Sequence, residues 1–304
     1  MASALTIRTR VDNGEQLPEQ EALNLLNQSV LIAKLLTPPK GRPETFSGLR
    51  AYEWRLLELC EIPYSYLLPT VQQWLELLID KTAIPEGFSL TKTMDGVLSC
   101  HTSMLTKIMI CHHADKALID RGIAWLLDYQ SLRKGEICTW PGKDLYTRWR
   151  GCMKANPCYY GVVKAMVTLQ CYQDHFGPDA AVQDKLNQGI EAMLERELYK
   201  RLSTGEPIEP SIVENFYPYP YKTNLIELLS IMQKARKLDD QRCQPALEIL
   251  ESKRRSDGMF QADKVFMKSA WVLFDPLKKP GQWITHRIGQ ILADSPVGEY
   301  DSHG

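Results

Sequence analysis

Two long stretches of this chain align with each other. Shifted by 123 residues, with His101 over Asn224, the stretch from His101 to Glu136 lies over that from Asn224 to Met259 without a gap. Leu105 meets Leu228, Met109 meets Met232, Leu126-Leu127 meets Ile249-Leu250, and Gly135 meets Gly258. Further on, Tyr160 meets Trp283, Lys164 meets Arg287 and Leu169 meets Leu292. A fainter copy lies earlier, where Leu57, Cys60, Trp74 and Leu75 precede Ile108, Cys111, Trp125 and Leu126 by 51 positions. Each copy reads as helix, short turn, helix, a glycine-bearing turn and an aromatic loop. A single hairpin of this kind cannot bury its apolar face alone, so neighbouring units must stack. An open superhelix and a closed ring both meet that need. Tryptophans in the loops, where a scaffold would present polar surface, favour the ring.

The remaining pattern is helical as well. Residues 1–18 read as a polar arm ending at Pro18, 19–293 as one helical domain, and 294–304 as a flexible tail. Apolar periodicity predicts a helix from Glu19 that Thr37-Pro38-Pro39 stops, because proline lacks the N–H and restricts the residue before it. Further helices are predicted at 46–61, 66–82, 98–113, 116–130, 157–176, 179–202, 223–237, 242–254 and 282–293, separated by Pro/Gly turns. Val265–Leu273 is the nearest candidate for a strand.

Lys and Arg number 36 against 37 Asp and Glu, leaving no general electrostatic reason for nucleic acid or an anionic membrane as partner. The N-terminal residues lack the apolar run of a signal peptide, and no window offers the ~20 apolar residues of a membrane span. The expected location is cytoplasmic, where the 8 cysteines are mostly thiols and their clustering points to metal or chemistry before disulfides.

The sequence Trp125-Leu-Leu-Asp-Tyr-Gln130, followed by Lys134-Gly135-Glu136, has its counterpart in Ile249-Leu-Glu-Ser-Lys-Arg254, followed by Asp257-Gly258-Met259-Phe260. This pattern resembles the repeat of squalene/hopene cyclases and protein prenyltransferases, in which a helix ending in Gln or Lys precedes an Asp-Gly-Gly-Trp-like turn. From Phe216 through Gln282-Trp-Ile-Thr-His-Arg-Ile-Gly-Gln-Ile-Leu292 the chain looks similar to small bacterial members of that superfamily. The resemblance covers about residues 46–293 and implies an all-α fold, an (α/α) toroid around an apolar cavity. It further implies an enzyme acting on a hydrophobic small molecule of prenyl or terpenoid class. A ligand-binding toroid without catalysis and a helical-repeat interaction scaffold are the alternatives. Both turns here lack the second glycine and the tryptophan.

The superfamily's acidic motifs, Asp-x-Asp-Asp and Asp-Asp-x-x-Asp, are missing. Asp239-Asp240 is the one adjacent acidic pair, placed where a solvated helix start is expected. Thiols and imidazoles are concentrated between Cys100 and Cys158. Zinc accepts four thiolate or imidazole ligands, which makes Cys100, Cys138, Cys152 and Cys158 the candidate metal set, although cysteines also fill helical cores as small apolar residues. His101 is the candidate general base or ligand, with Asp95 as the carboxylate nearby to fix its tautomer. Around Trp140, Arg148, Trp149 and Arg150, cations beside aromatic faces suit an anionic head group above an apolar cavity. Tyr160, Tyr217 and Tyr219 complete the expected substrate contacts.

Overall fold

The structure is a computed structural model, and it describes residues 2–142, 153, 157–265 and 271–296. Most of it is helical, in twelve α-helices among the described residues. In order they are α1 (Ala2–Asp12), α2 (Glu19–Asn27), α3 (Val30–Leu35), α4 (Phe46–Cys60), α5 (Pro69–Thr82) and α6 (Ser99–Cys111). There follow α7 (Lys116–Tyr129), α8 (Tyr159–Phe176), α9 (Ala180–Leu194), α10 (Leu225–Lys234), α11 (Gln244–Glu251) and α12 (Gln282–Ala293). Two antiparallel pairs accompany them: β1 (Ala83–Ile84) with β2 (Gly87–Phe88), and β3 (Phe260–Gln261) with β4 (Pro280–Gly281). None of these helices is long and apolar enough to cross a membrane. The chain divides into two compact units, Met1–Lys185 with Ser269–Val272, and Leu186–Lys268 with Leu273–Gly304, where the sequence pattern suggested one domain.

Helix starts follow local chemistry. The side chains of Ser29, Thr45, Asp115 and Asn224 accept from backbone N–H groups in the first turns of α3, α4, α7 and α10. Ser29 splits the single helix expected over 19–36 into α2 and α3. The polar arm expected at 1–18 is itself helical over Ala2–Asp12 and buries Ala4 and Ile7. Its apolar residues are too few to stand out in the sequence. Between Val265 and Leu273 the described residues form no strand, and 266–270 lie outside the description, as do tail residues 297–304. The β-pairing falls instead on Phe260–Gln261.

In the first unit α6 is the central element, packed against α4, α7 and α8. It is buried nearly all round, from Ser99 through Ile110, with only Cys100 and Lys107 partly open. A helix without a polar face belongs in a core. Its polar residues are hydroxyls that close their own hydrogen bonds. Ser103 Oγ donates to Ser99 O at 2.7 Å, Thr106 Oγ1 to Thr102 O at 2.7 Å, and Thr102 Oγ1 to Phe88 O at 2.9 Å. Thr168 Oγ1 of α8 donates to Ser103 O at 2.8 Å, so the hydroxyls also stitch helix to helix. Two glycines let the neighbours close in. A Cβ on Gly122 of α7 would strike the Thr106 hydroxyl and come within 3.0 Å of its Cβ. On Gly161 of α8 it would strike the Ser99 hydroxyl and come within 3.0 Å of its Cβ.

The second unit repeats the plan with α10 packed on α11 and α12. The 123-residue shift carries α6, α7 and α8 onto α10, α11 and α12, and the first residue of α8 onto the first of α12. Gly135 and Gly258 both take positive φ, 93° and 76°, which explains why this turn keeps glycine in both copies. Gln130 and Lys253 occupy one repeat position. Gln130 accepts from Ser99 Oγ at the start of α6, while Lys253 donates to Val213 O and, at 2.8 Å, to Asp263 Oδ2. Gln130 thus ties the end of α7 back to the start of α6, while Lys253 ties the end of α11 to the chain before α10 and after α11.

Replacing Gly122 or Gly161 by alanine forces the α6 contact apart, and should cost roughly 1–3 kcal/mol of unfolding free energy, typical of an overpacked core. Urea midpoints measure this. Gly14→Ala, at a positive-φ turn with open space around it, is the comparison for backbone strain without overpacking.

Candidate functional site

The first turns of α6 and α8 come together where Gly161 meets Ser99, and a small pocket opens beside them. Ser99 and Cys158 line it from these helix starts, Tyr129 and Gln130 from the end of α7, and Cys138 from the loop after the Gly135 turn. Ser131, Met153 and Pro157 complete the lining. The polar groups are largely satisfied among themselves: Ser99 donates to Gln130 Oε1, and Gln130 Nε2 donates to Ser131 O at 2.6 Å.

The sequence-based thiol set is therefore partly brought together. Cys138 and Cys158 share the pocket. Cys100 lies beside Cys158, and its thiol is pushed up to about 12, first by burial, then by the negative charge of Cys158 and Glu53, with Arg50 pulling the other way. A thiol so shifted is protonated at neutral pH and a poor nucleophile or ligand. Cys152 lies outside the described residues. Among the described residues no three His, Cys, Asp or Glu side chains are placed to hold a metal ion.

His101 is buried on α6, and its Nδ1 lies 2.9 Å from Glu53 Oε1 of α4, also buried. A carboxylate there fixes the Nδ1–H tautomer of the neutral ring and leaves the lone pair on Nε2. The orienting carboxylate is Glu53 and not Asp95, which is exposed and bonded to Thr91 and Thr93 in the loop before α6. Sequence proximity suggested Asp95; packing of α4 on α6 selects Glu53, 48 residues away. The 51-residue copy, which makes α4 and α6 equivalent helices, is the one sequence signal that could have suggested the pair.

The other expected substrate contacts separate. Trp140 is buried, donates Nε1–H to Met94 O at 3.0 Å, and packs edge-on against Trp125 and Tyr129. It fills the hairpin interface instead of facing a ligand. Arg148, Trp149 and Arg150 lie outside the described residues. Tyr160 is half-buried in the first turn of α8. Tyr217 and Tyr219 belong to the core of the second unit, where Tyr217 contacts Phe274 and Trp283. Asp239-Asp240 sits at a helix start, as expected: Asp240 Oδ1 accepts from Arg242 N at 2.9 Å, and the Arg242 guanidinium holds its carboxyl down to about 2.

A buried ion pair that sequence reasoning missed lies one turn beyond Glu53. Arg55 Nη1 donates to Leu35 O at 2.6 Å and Thr37 O at 2.9 Å, closing the end of α3. Its Nε donates to Glu58 Oε2 at 3.0 Å, and Glu58 Oε1 accepts from Val272 N at 2.6 Å. No sequence pattern announces this set, since its members are spread over more than two hundred residues. The chain also matches no family model, no curated protein and no solved structure.

Burial pushes the Glu58 carboxyl up to about 8, against the opposing pull of Arg55 and the Val272 amide. Folding therefore favours the protonated form, and the contribution of Glu58 to stability is full below about 4.5 and is lost as pH rises through about 8. Urea unfolding across that window should show wild-type stability falling relative to Glu58→Gln, in which the slope due to this group is missing.

Proposed function

We propose that the protein binds a neutral, hydrophobic small molecule of prenyl or terpenoid class, on the (α/α) toroid plan that its repeats resemble. The observation that carries this reading is the three-helix plan that recurs in α6–α8 and α10–α12; the pocket between the starts of α6 and α8, at about 10 Å³, has room for one water. Tyr129, Cys138, Met153 and Pro157 give it apolar walls, while Ser99 and Gln130 spend their hydrogen bonds on each other. Such a lining offers no fixed charge to an ion, and a prenyl chain would enter it only with the surrounding side chains moved apart. The recurrence of one three-helix plan in both units supports the architectural half of the reading.

Binding is favoured over catalysis because the groups proposed for chemistry have structural duties. Asp95 is tied to Thr91 and Thr93 in its own loop, and Cys100 is held as a thiol. One observation favours an enzyme instead: the Glu53–His101 pair leaves a lone pair on a buried imidazole, which is what a general base needs.

Titration of the full chain with farnesol, followed by calorimetry, should give saturable binding. Cys158→Trp, which fills the pocket from its half-buried rim, should weaken it about tenfold, or ~1.4 kcal/mol. Absence of saturable binding would sink the proposal. Release of diphosphate from farnesyl diphosphate, lost in His101→Gln with farnesol affinity retained, would decide for the enzyme.

A further inference from the structure

At the other ends of the same helices lies a second group of thiols. Cys60 is the last residue of α4, Cys111 the last of α6, and Cys171 sits on α8 before its final turn. Cys111 Sγ lies 3.9 Å from Cys171 Sγ. Cys60 lies near enough to act on the Cys111 thiol, and the two sit on the packed helices α4 and α6. All three residues are half-buried, and none is in a disulfide. The 51-residue copy pairs Cys60 with Cys111, so two of the thiols occupy the same repeat position on adjacent helices.

The surroundings are polar in a specific way. Lys107 reaches Glu61 Oε1 at 2.8 Å and places its ammonium beside Cys60 and Cys111. His112 Nε2 lies 3.1 Å from Leu56 O and 3.6 Å from Cys60 Sγ. Because the carbonyl can only accept, Nε2 carries the proton and Cys60 receives a weak second contact from it. Burial lowers the His112 imidazole to about 4, so the ring is neutral at ordinary pH. No part of the pocket chemistry above uses these groups.

We propose that Cys60, Cys111 and Cys171 form a thiol–disulfide relay, in which Cys111 is the shared partner and a peroxide is the oxidant. Two reduced thiols in van der Waals contact need rotation about their side-chain bonds to reach the ~2.05 Å of a disulfide, and adjacent packed helices permit that geometry. In the first step Cys171 attacks a peroxide oxygen as the thiolate, because the surroundings of Cys111 hold that thiol protonated, well above its usual range. The O–O bond breaks, a sulfenic acid forms and, for hydrogen peroxide, one water leaves. The second thiol then attacks the sulfenic sulfur; the S–S bond forms, the S–O bond breaks, and a second water leaves. Two thiol hydrogens and two electrons have passed to the peroxide, which is reduced to two waters. Cys60 can next attack Cys111 of that disulfide as a thiolate, releasing the Cys171 thiolate and moving the link from α6–α8 to α6–α4 without further oxidation. Either link braces α6, whose opposite end borders the pocket.

The test is a peptide map of the full chain, treated with hydrogen peroxide, alkylated and digested under non-reducing conditions. Wild type should yield a peptide pair joined through Cys111 and Cys171, lighter by two hydrogens than the sum of the two free peptides. In Cys171→Ser the link should move to Cys60–Cys111. In Cys111→Ser no link should join Cys60 to Cys171, with helical circular dichroism unchanged. A wild-type map in which Cys111 and Cys171 stay alkylated while Cys158 is oxidised would overturn the proposal. So would a link between Cys60 and Cys171 that survives Cys111→Ser. If a variant does not fold, the wild-type map still decides.

Discussion

Close approach between α6 and its two partners is the constraint on which the first unit rests. Helices come this near only where side chains are small, and here glycine faces a hydroxyl at both crossings: Gly122 against Thr106 and Gly161 against Ser99. Small polar side chains in a core normally carry a desolvation cost. The cost is avoided because Ser103, Thr102 and Thr106 return their hydrogens to nearby backbone carbonyls. For Ser103 and Thr106 the acceptor is the carbonyl one turn back on α6 itself, and for Thr102 it is Phe88 O of β2. The outcome is a core helix without the usual leucine-rich surface, which positions Ser99, Cys100 and His101 at one end and Cys111 at the other.

The second unit solves the same packing problem with different side chains. At the positions that correspond to Gly122 and Gly161 it has Pro245 and Ile284. Its central helix α10 buries Leu225, Ile226, Leu228, Leu229, Ile231 and Met232. Aromatic bulk from Tyr217, Phe274 and Trp283 packs together in the same core. Asp275 secures this arrangement by accepting from the Ile284 amide at 2.8 Å and the Trp283 amide at 3.2 Å at the start of α12. Repeat architecture thus survives the exchange of one packing chemistry for another, as long as the turns and the helix-end ties persist. Gln130 and Lys253 show the limit of that exchange: the side chains differ in charge, yet each reaches from a helix end to neighbouring chain.

Most of the helical order was legible in the sequence because it is local. Apolar period, caps and Pro/Gly turns placed α4 through α12 to within a few residues, except that α9 ends at Leu194 where a helix to 202 was expected, and the 123-residue match anticipated that α6–α7–α8 and α10–α11–α12 share one plan. The arm at 1–18 was misread because a short helix with two buried residues, Ala4 and Ile7, has too little apolar signal. The site was legible by residue type more than by partner. Cys138 and Cys158 do meet, and His101 does have a carboxylate, but Glu53 supplies it. Helix pairing decides that choice, and neighbours in the chain say little about neighbours in space.

The thiols show how far repetition can carry chemistry. A residue at the end of one repeat helix is brought beside its counterpart when the copies stack, so Cys60 and Cys111 meet because they are equivalent and α4 packs on α6. Cys171 has no such equivalence; it joins them because α8 lies along α6, at the spacing that Gly161 allows. Concentration of cysteine between residues 100 and 158 drew attention to one end of these helices, yet two of the three thiols at the other end fall outside that stretch. Counting residues along the chain separates the two thiol groups by type alone, whereas a 13-residue helix separates them in space. At about 1.5 Å per residue that is close to 20 Å. The chemistry at either end of α6 can therefore be altered without touching the other, and the helix itself is the rigid element that both ends share.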